Sequence, residues 1–262
     1  MSDWLAIILL GLIEGITEFL PISSTGHLLL AEHLKWLPPQ SDLFNVVIQC
    51  GAVIAVLPLF PDRCRQLLQA GRDPLARDYF LKLAAAFVLT GIGGVWLEKH
   101  NFKLPLTLPP VGWALLIGGC LFVAVERWLR GKELRDSITW PIAAAVGLGQ
   151  LVAAVFPGAS RSGTTILLML LMGIKRPLAT EFSFLVGIPT MLSAGGLKIF
   201  KALHAAPGGP TEDWGLLVLG TVISGVISFL AVKWLLRYVQ SHTFEGFGWY
   251  RIGLGVWVLW LW

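Results

Sequence analysis

Residues 4–36 read WLAIILLGLIEGITEFLPISSTGHLLLAEHLKW, and their pattern decides the fold. An apolar run over 4–20 breaks at Pro21 into a Ser/Thr/Gly stretch and resumes over 27–36. That return leg has only half of the roughly 20 residues needed to cross a hydrocarbon core. Backbone groups in lipid must be satisfied internally, so both legs are helices, and the short second leg predicts a re-entrant helical hairpin.

The pattern recurs once. Apolar residues 139–156 lead into Pro157-Gly158-Ala159-Ser160-Arg161-Ser162-Gly163, and a half-length run follows over 164–174. The other apolar segments lie at about 44–60, 80–97, 111–129, 177–200, 214–236 and 244–262. The hydrophobic fraction is 55%, charged residues make up 14% and the mean hydropathy is +0.73. Soluble domains carry about 25% charged residues, so a water-soluble fold is excluded. The expected fold class is all-α: a polytopic membrane helical bundle, one integral membrane domain over residues 1–262, in contact with membrane lipids. Tryptophans such as Trp36, Trp96, Trp113, Trp214, Trp249 and Trp262 fall near segment ends, where indoles sit at headgroup level. Cys50, Cys64 and Cys120 lack CxxC spacing and read as packing residues. The net charge of +4 comes without an aromatic-basic stripe, so nucleic acid is not an expected partner.

With both hairpins re-entrant, the basic residues sort by side. Arg63, Arg65, Arg72, Arg77, Lys82, Arg127, Arg130, Lys132, Arg135, Lys175, Arg176, Lys233, Arg237 and Arg251 fall together, 14 of the 20 Lys+Arg. Lys35, Lys99, Lys103, Lys198 and Lys201 fall opposite, and Arg161 lies at depth. The positive-inside rule makes the first group cytoplasmic. The first hairpin then enters from outside and the second from inside.

Laid on itself, the chain shows a weak but ordered repeat. Gly11-Leu-Ile-Glu14 matches Gly147-Leu-Gly-Gln150, and Ser23-Ser24-Thr25-Gly26 matches Ser160-Arg161-Ser162-Gly163 after one inserted residue. Opposite entry sides then imply inverted-topology halves, about 1–110 and 111–262, whose broken tips meet inside the membrane. Each tip starts a half-helix whose unsatisfied N–H groups and positive dipole end face the meeting point, which suits an anion. Arg161, a cation in lipid, needs a partner such as a phosphate.

Glu14 and Glu18, four apart on one helix face in an apolar region, point to binding a divalent metal or activating a nucleophile. The bland alternative pairs one glutamate with Arg161 and protonates the other. Past the break, His27 stands one turn beyond Ser24, a serine with a base in reach. Singly, a Ser before a helix is an N-cap and a lone His a hydrogen-bonded structural residue; the cluster together argues for chemistry.

The runs Glu14-Gly-Ile-Thr-Glu18-Phe-Leu-Pro-Ile-Ser23-Ser24-Thr-Gly-His27 and Pro157-Gly-Ala-Ser160-Arg161-Ser162-Gly163-Thr164-Thr165 resemble the two signature motifs of the bacterial undecaprenyl pyrophosphate phosphatases linked to bacitracin resistance. The segment Phe44-Asn-Val-Val-Ile-Gln-Cys-Gly-Ala-Val is similar to the family's third shared stretch. The resemblance implies hydrolysis of a C55 polyprenyl pyrophosphate to the monophosphate carrier of cell-wall synthesis. It also implies a site open to the outer face of the cytoplasmic membrane, a divalent cation such as Mg2+ or Ca2+, and a homodimer. By position it makes Glu14 and Glu18 the acidic pair and candidate metal ligands, Ser24 the nucleophile, His27 the essential histidine and Arg161 the phosphate-gripping arginine. Ser23, Thr25, Ser160, Ser162 and Thr165 become supporting hydroxyls. The expected reaction is attack by Ser24 on the terminal phosphorus, with His27 moving the proton. Attack by metal-activated water with Glu14 or Glu18 as base is the alternative.

Broken hairpins meeting at midplane also suit a transporter or lipid flippase. The Glu/Ser/His/Arg cluster favours hydrolysis and leaves an added role in flipping the product lipid open. A purely structural membrane scaffold explains none of the intramembrane charges.

Overall fold

The structure, a computed structural model, describes residues 3–102, 104–204 and 213–262. Among them the architecture is all-helical, with eleven α-helices: α1 (Asp3–Thr17), α2 (Ser24–His33), α3 (Asp42–Val56), α4 (Pro61–Leu68), α5 (Pro74–Lys99), α6 (Leu108–Trp128), α7 (Trp140–Val155), α8 (Arg161–Leu171), α9 (Arg176–Leu203), α10 (Trp214–Tyr238) and α11 (Glu245–Trp260). Five helical stretches are long and apolar enough to cross a membrane: α3 with its 3-10 extension to Leu59, α5, α6, α9 and α10. The polarity is inverted relative to a soluble protein. All twelve tryptophans are exposed, whereas Glu14, Glu126 and Arg251 are buried. This is a multi-pass membrane protein.

Helices approach closely through small residues, as lipid-embedded helices do when backbone contact replaces the hydrophobic drive. A Cβ at Gly119 of α6 would stand 2.7 Å from the Gly248 carbonyl of α11, and one at Gly15 of α1 would stand 2.8 Å from the Ser224 carbonyl of α10. Ion pairs gather at one end of the molecule: Arg63 with Glu181, Arg176 with Glu126, and Arg127 and Arg130 with Glu245. At the other end Lys198 meets Asp42 and Lys201 approaches Glu98.

The two broken segments place their flanking helices alike. Leu37, just past α2, packs with Ala6 and Ile7 near the start of α1. Arg135, before α7, forms an isolated bridge with Ile174, just past α8. The start of each pair therefore lies close to its finish.

Three features depart from the sequence reading. Arg251, grouped above with the cytoplasmic loop cations, is instead buried within α11, where it donates only to backbone carbonyls. Helix α4 falls where no apolar segment was expected, being short and polar with Arg63 and Arg65. Helix α5 begins at Pro74, with Asp73 capping the Leu75 N–H, ahead of the apolar run. Lys103, expected among the outer cations, lies outside the described residues.

Candidate active site

Site geometry starts from two serines in a backbone conformation that L side chains rarely adopt. Ser23 has φ 73° and Ser160 has φ 69°. Strain of about 1–3 kcal/mol persists at such positions only where the surroundings over-determine it. Both are caps: Ser23 Oγ accepts from the Gly26 N–H at 3.2 Å, and Ser160 Oγ from the Gly163 N–H at 3.1 Å. The left-handed turn aims the first residue of each half-helix, Ser24 and Arg161, at the same place.

That place is the Glu18 carboxylate. Ser24 Oγ donates to Glu18 Oε2 at 2.7 Å, and an Arg161 NH2 nitrogen donates to Glu18 Oε1 at 3.3 Å. Residues separated by over 130 positions are thus joined through one side chain. Ser162 Oγ adds a direct bond between the breaks, donating to the Leu20 carbonyl at 3.2 Å. The Arg161 guanidinium also lies 5.7 Å from the Phe19 ring centroid, a cation–π distance. Gly187 of α9 lies against it, where any Cβ would collide.

The site is left electrostatically and sterically incomplete. Among the described residues, neither carboxylate oxygen of the fully buried Glu14 meets hydrogen-bond geometry with its neighbours, and Nε and NH1 of Arg161 have no partner. Glu18 and Gln49 lie beside Glu14. Buried orphan groups of both signs are costly in a low-dielectric interior, and what completes them must carry both signs too.

Beside them opens a cavity of about 540 Å³. Glu18, Ser23, Ser24, Thr25, Ser160 and Arg161 form its polar wall, with Gln49, Thr90 and Gln150 nearby and Gly91, Gly94, Met191 and Leu197 on its apolar side. It reaches Glu98, at the end opposite the basic cluster. Gln49, Thr90 and Gln150 were not singled out from the sequence. The third shared stretch contained Gln49, and the repeat had aligned Gln150 with Glu14.

Other expected residues stand elsewhere. Ser162 and Thr165 do not line the cavity: Ser162 ties the breaks, and Thr165 Oγ1 lies 2.6 Å from Ser183 Oγ of α9. The expected Ser24–His27 hydrogen bond is not formed. His27 Nδ1 sits 2.7 Å from the Ser23 carbonyl and Nε2 sits 2.7 Å from the Tyr250 hydroxyl. The group within reach of the Ser24 proton is Glu18, because the α2 turn carries the imidazole away from the cavity.

Hard divalent cations take oxygen ligands, often one or two carboxylates completed by substrate phosphates and water. Glu14 and Glu18 fit that donor set, Glu14 with both oxygens unpartnered. Among the described residues no group of three or more His, Cys, Asp or Glu side chains is placed to hold a metal.

The Bacitracin resistance protein BacA family model matches residues 7–257. The chain is 48% identical over 258 residues to an undecaprenyl-diphosphatase of Rhizobium etli (strain CIAT 652), covering 98% of this chain and 96% of the relative. It is 46% identical to one of Xylella fastidiosa (strain 9a5c), over the full length of both. A third, of Xanthomonas axonopodis pv. citri (strain 306), is 45% identical over 263 residues, covering 100% of this chain and 98% of the relative.

Proposed function

Since the chain belongs to the bacitracin resistance protein BacA family and is a membrane undecaprenyl-diphosphatase, we propose that its hydrolysis takes place where the two breaks meet at Glu18. The observation that carries this reading is the pairing of Ser24 and Arg161 on one carboxylate while Arg161 and Glu14 keep orphan polar atoms. A diphosphate with its cation satisfies both sets.

In this reading the diphosphate lies on the cavity's polar wall. The free N–H groups of Arg161 grip the terminal phosphate, helped by the N-termini of α2 and α8. Ser24 Oγ attacks the terminal phosphorus, its proton passes to Glu18, and the bond to the bridging oxygen breaks to release the lipid monophosphate. Glu18 returns that proton to the departing lipid monophosphate; water then attacks the phosphoserine and gives a proton to the freed carboxylate, which passes it to Ser24 Oγ as the serine–phosphorus bond breaks and inorganic phosphate leaves. Positioning and charge neutralisation supply most of the catalysis in such transfers. A divalent cation such as Mg2+ or Ca2+, held by Glu14 and Glu18, would neutralise developing charge on the phosphate oxygens.

The apolar side of the cavity takes the first isoprenoid units of the substrate, and the rest of the chain lies in lipid. The basic end of the molecule is cytoplasmic by the positive-inside rule. The cavity, reaching the end that carries Glu98 and Leu197, then opens outward. Both broken pairs are read as re-entrant hairpins of an inverted repeat within one domain. The packing supports that: α1 lies against α10 as α7 lies against α5, and α3 against α10 as α9 against α5, while α3 pairs with α9 across the halves. A homodimer is the expected assembly, and cross-linking in native membranes tests it.

Phosphate release from a polyprenyl diphosphate by purified protein tests the site. Ser24→Ala and Arg161→Ala are expected to abolish it, and a fully active Ser24→Ala overturns the nucleophile.

A further inference from the structure

We propose that His27 is a positioning residue, not the proton carrier of the reaction, and that Tyr250 locks it in the tautomer this task requires. The inference deepens the reading above and rests on it for the identity of the nucleophile.

The argument begins with the two strained serines. At the second break, Thr164 Oγ1 donates to the Ser160 carbonyl four residues back, at 2.9 Å. At the first, the residue in the same register is His27, and its Nδ1 meets the Ser23 carbonyl four residues back, at 2.7 Å. Both carbonyls belong to positive-φ serines whose hydroxyls accept from a glycine N–H three residues on. Two side chains of different chemistry thus hold one backbone shape, and the shape aims Ser24 at Glu18 and Arg161 at the same carboxylate.

A carbonyl oxygen only accepts, so Nδ1 must carry the proton. In the neutral ring Nε2 is then the acceptor, and the Tyr250 hydroxyl donates to it at 2.7 Å. The two rings lie parallel, 4° apart in plane and 5.7 Å between centroids. Tyr250 is half exposed on the lipid-facing side of α11, and a phenol in that setting needs a partner. With both nitrogens occupied and neither on Ser24, the imidazole has no path to the reacting atoms. Its work is done through the Ser23 carbonyl.

Threonine at a helix position readily bonds the carbonyl four residues back, so the second break names its own replacement for the first. His27→Ala is expected to lower kcat by about 10²-fold and Tyr250→Phe by about tenfold, with KM changed little, as losses of residues that orient a reacting group do. His27→Thr is expected to stay within about tenfold of the parent protein, and adding Tyr250→Phe to it should change nothing more. Nitrogen-15 spectra of histidine-labelled protein, with His27 assigned by difference against His27→Thr, should show Nδ1 protonated and Nε2 bare, a signature perturbed in Tyr250→Phe. Equal loss in folded His27→Thr and His27→Ala proteins overturns the proposal. So does a spectrum with the proton on Nε2, and that arm decides even if Ser24→Ala proves active and the nucleophile reading falls.

Discussion

The break at Ser23 and the break at Ser160 share a backbone and differ in charge. Each is a positive-φ serine capping a half-helix, with its hydroxyl on a glycine N–H and its carbonyl held by the side chain four residues on. The first half supplies acids, Glu14 and Glu18, and a hydroxyl at the opening of α2. The second has Gln150 in register with Glu14, and it opens α8 with Arg161 in place of Ser24. Similar geometry carrying opposite charges makes a meeting point that is complementary within itself, through Glu18 and Arg161, and in the proposed reading a diphosphate and a cation complete it. In that reading neither break alone offers both a nucleophile and a grip.

Removing the cationic side should do the greatest damage. Arg161→Ala strands Glu18 in the interior and takes away the phosphate grip, so kcat/KM should fall about 10³-fold or more, measured as phosphate release. A loss of only a few-fold would mean that the second break holds the fold and not the substrate.

Making the first half like the second comes next. Glu14→Gln converts the acid into the amide found at Gln150, and activity should fall on the order of 10²-fold with a weaker response to added Mg2+ or Ca2+. Thermal stability should hold or rise, because a neutral amide replaces a fully buried acid. Unchanged cation dependence would take Glu14 out of the metal site.

A smaller effect tests how tightly the grip is placed. In Gly187→Ala the new methyl collides with the Arg161 guanidinium and must displace it, costing roughly 10-fold in activity with the fold kept. Ser162→Ala, the weakest, removes the bond to the Leu20 carbonyl and the contact with Ser160 Oγ. It should cost about 1 kcal/mol, roughly 3 °C in Tm, while activity stays within a few-fold. A collapse of activity there would return Ser162 to the phosphate.

Which residues the structure brings together at this candidate site was largely legible in the sequence, because intramembrane charges are expensive and therefore informative. Glu14, Glu18 and Arg161 stood out for that reason, and the Pro/Ser/Gly breaks located the half-helices. Side-chain direction was not legible. Ser162 and Thr165 sit in the same motif as Arg161, but the rotation of α8 turns them toward Leu20 and Ser183. The direction of His27 was hidden for a related reason: besides the Ser23 carbonyl its partner is Tyr250, 223 residues away on α11, and no local spacing encodes that contact. Arg251 was misplaced among loop cations although it stands inside an apolar segment, and its cost there was the overlooked signal. It donates to the Pro21 carbonyl of one break and to the Gly158 and Ala159 carbonyls of the other, tying the two together from the last helix.

The stereochemical course at the terminal phosphorus tests the central claim most directly. With a polyprenyl diphosphate whose terminal group is a chiral thiophosphate, transfer first to Ser24 and then to water inverts the centre twice, and the account predicts overall retention. Net inversion would show a single direct attack by water and would contradict it.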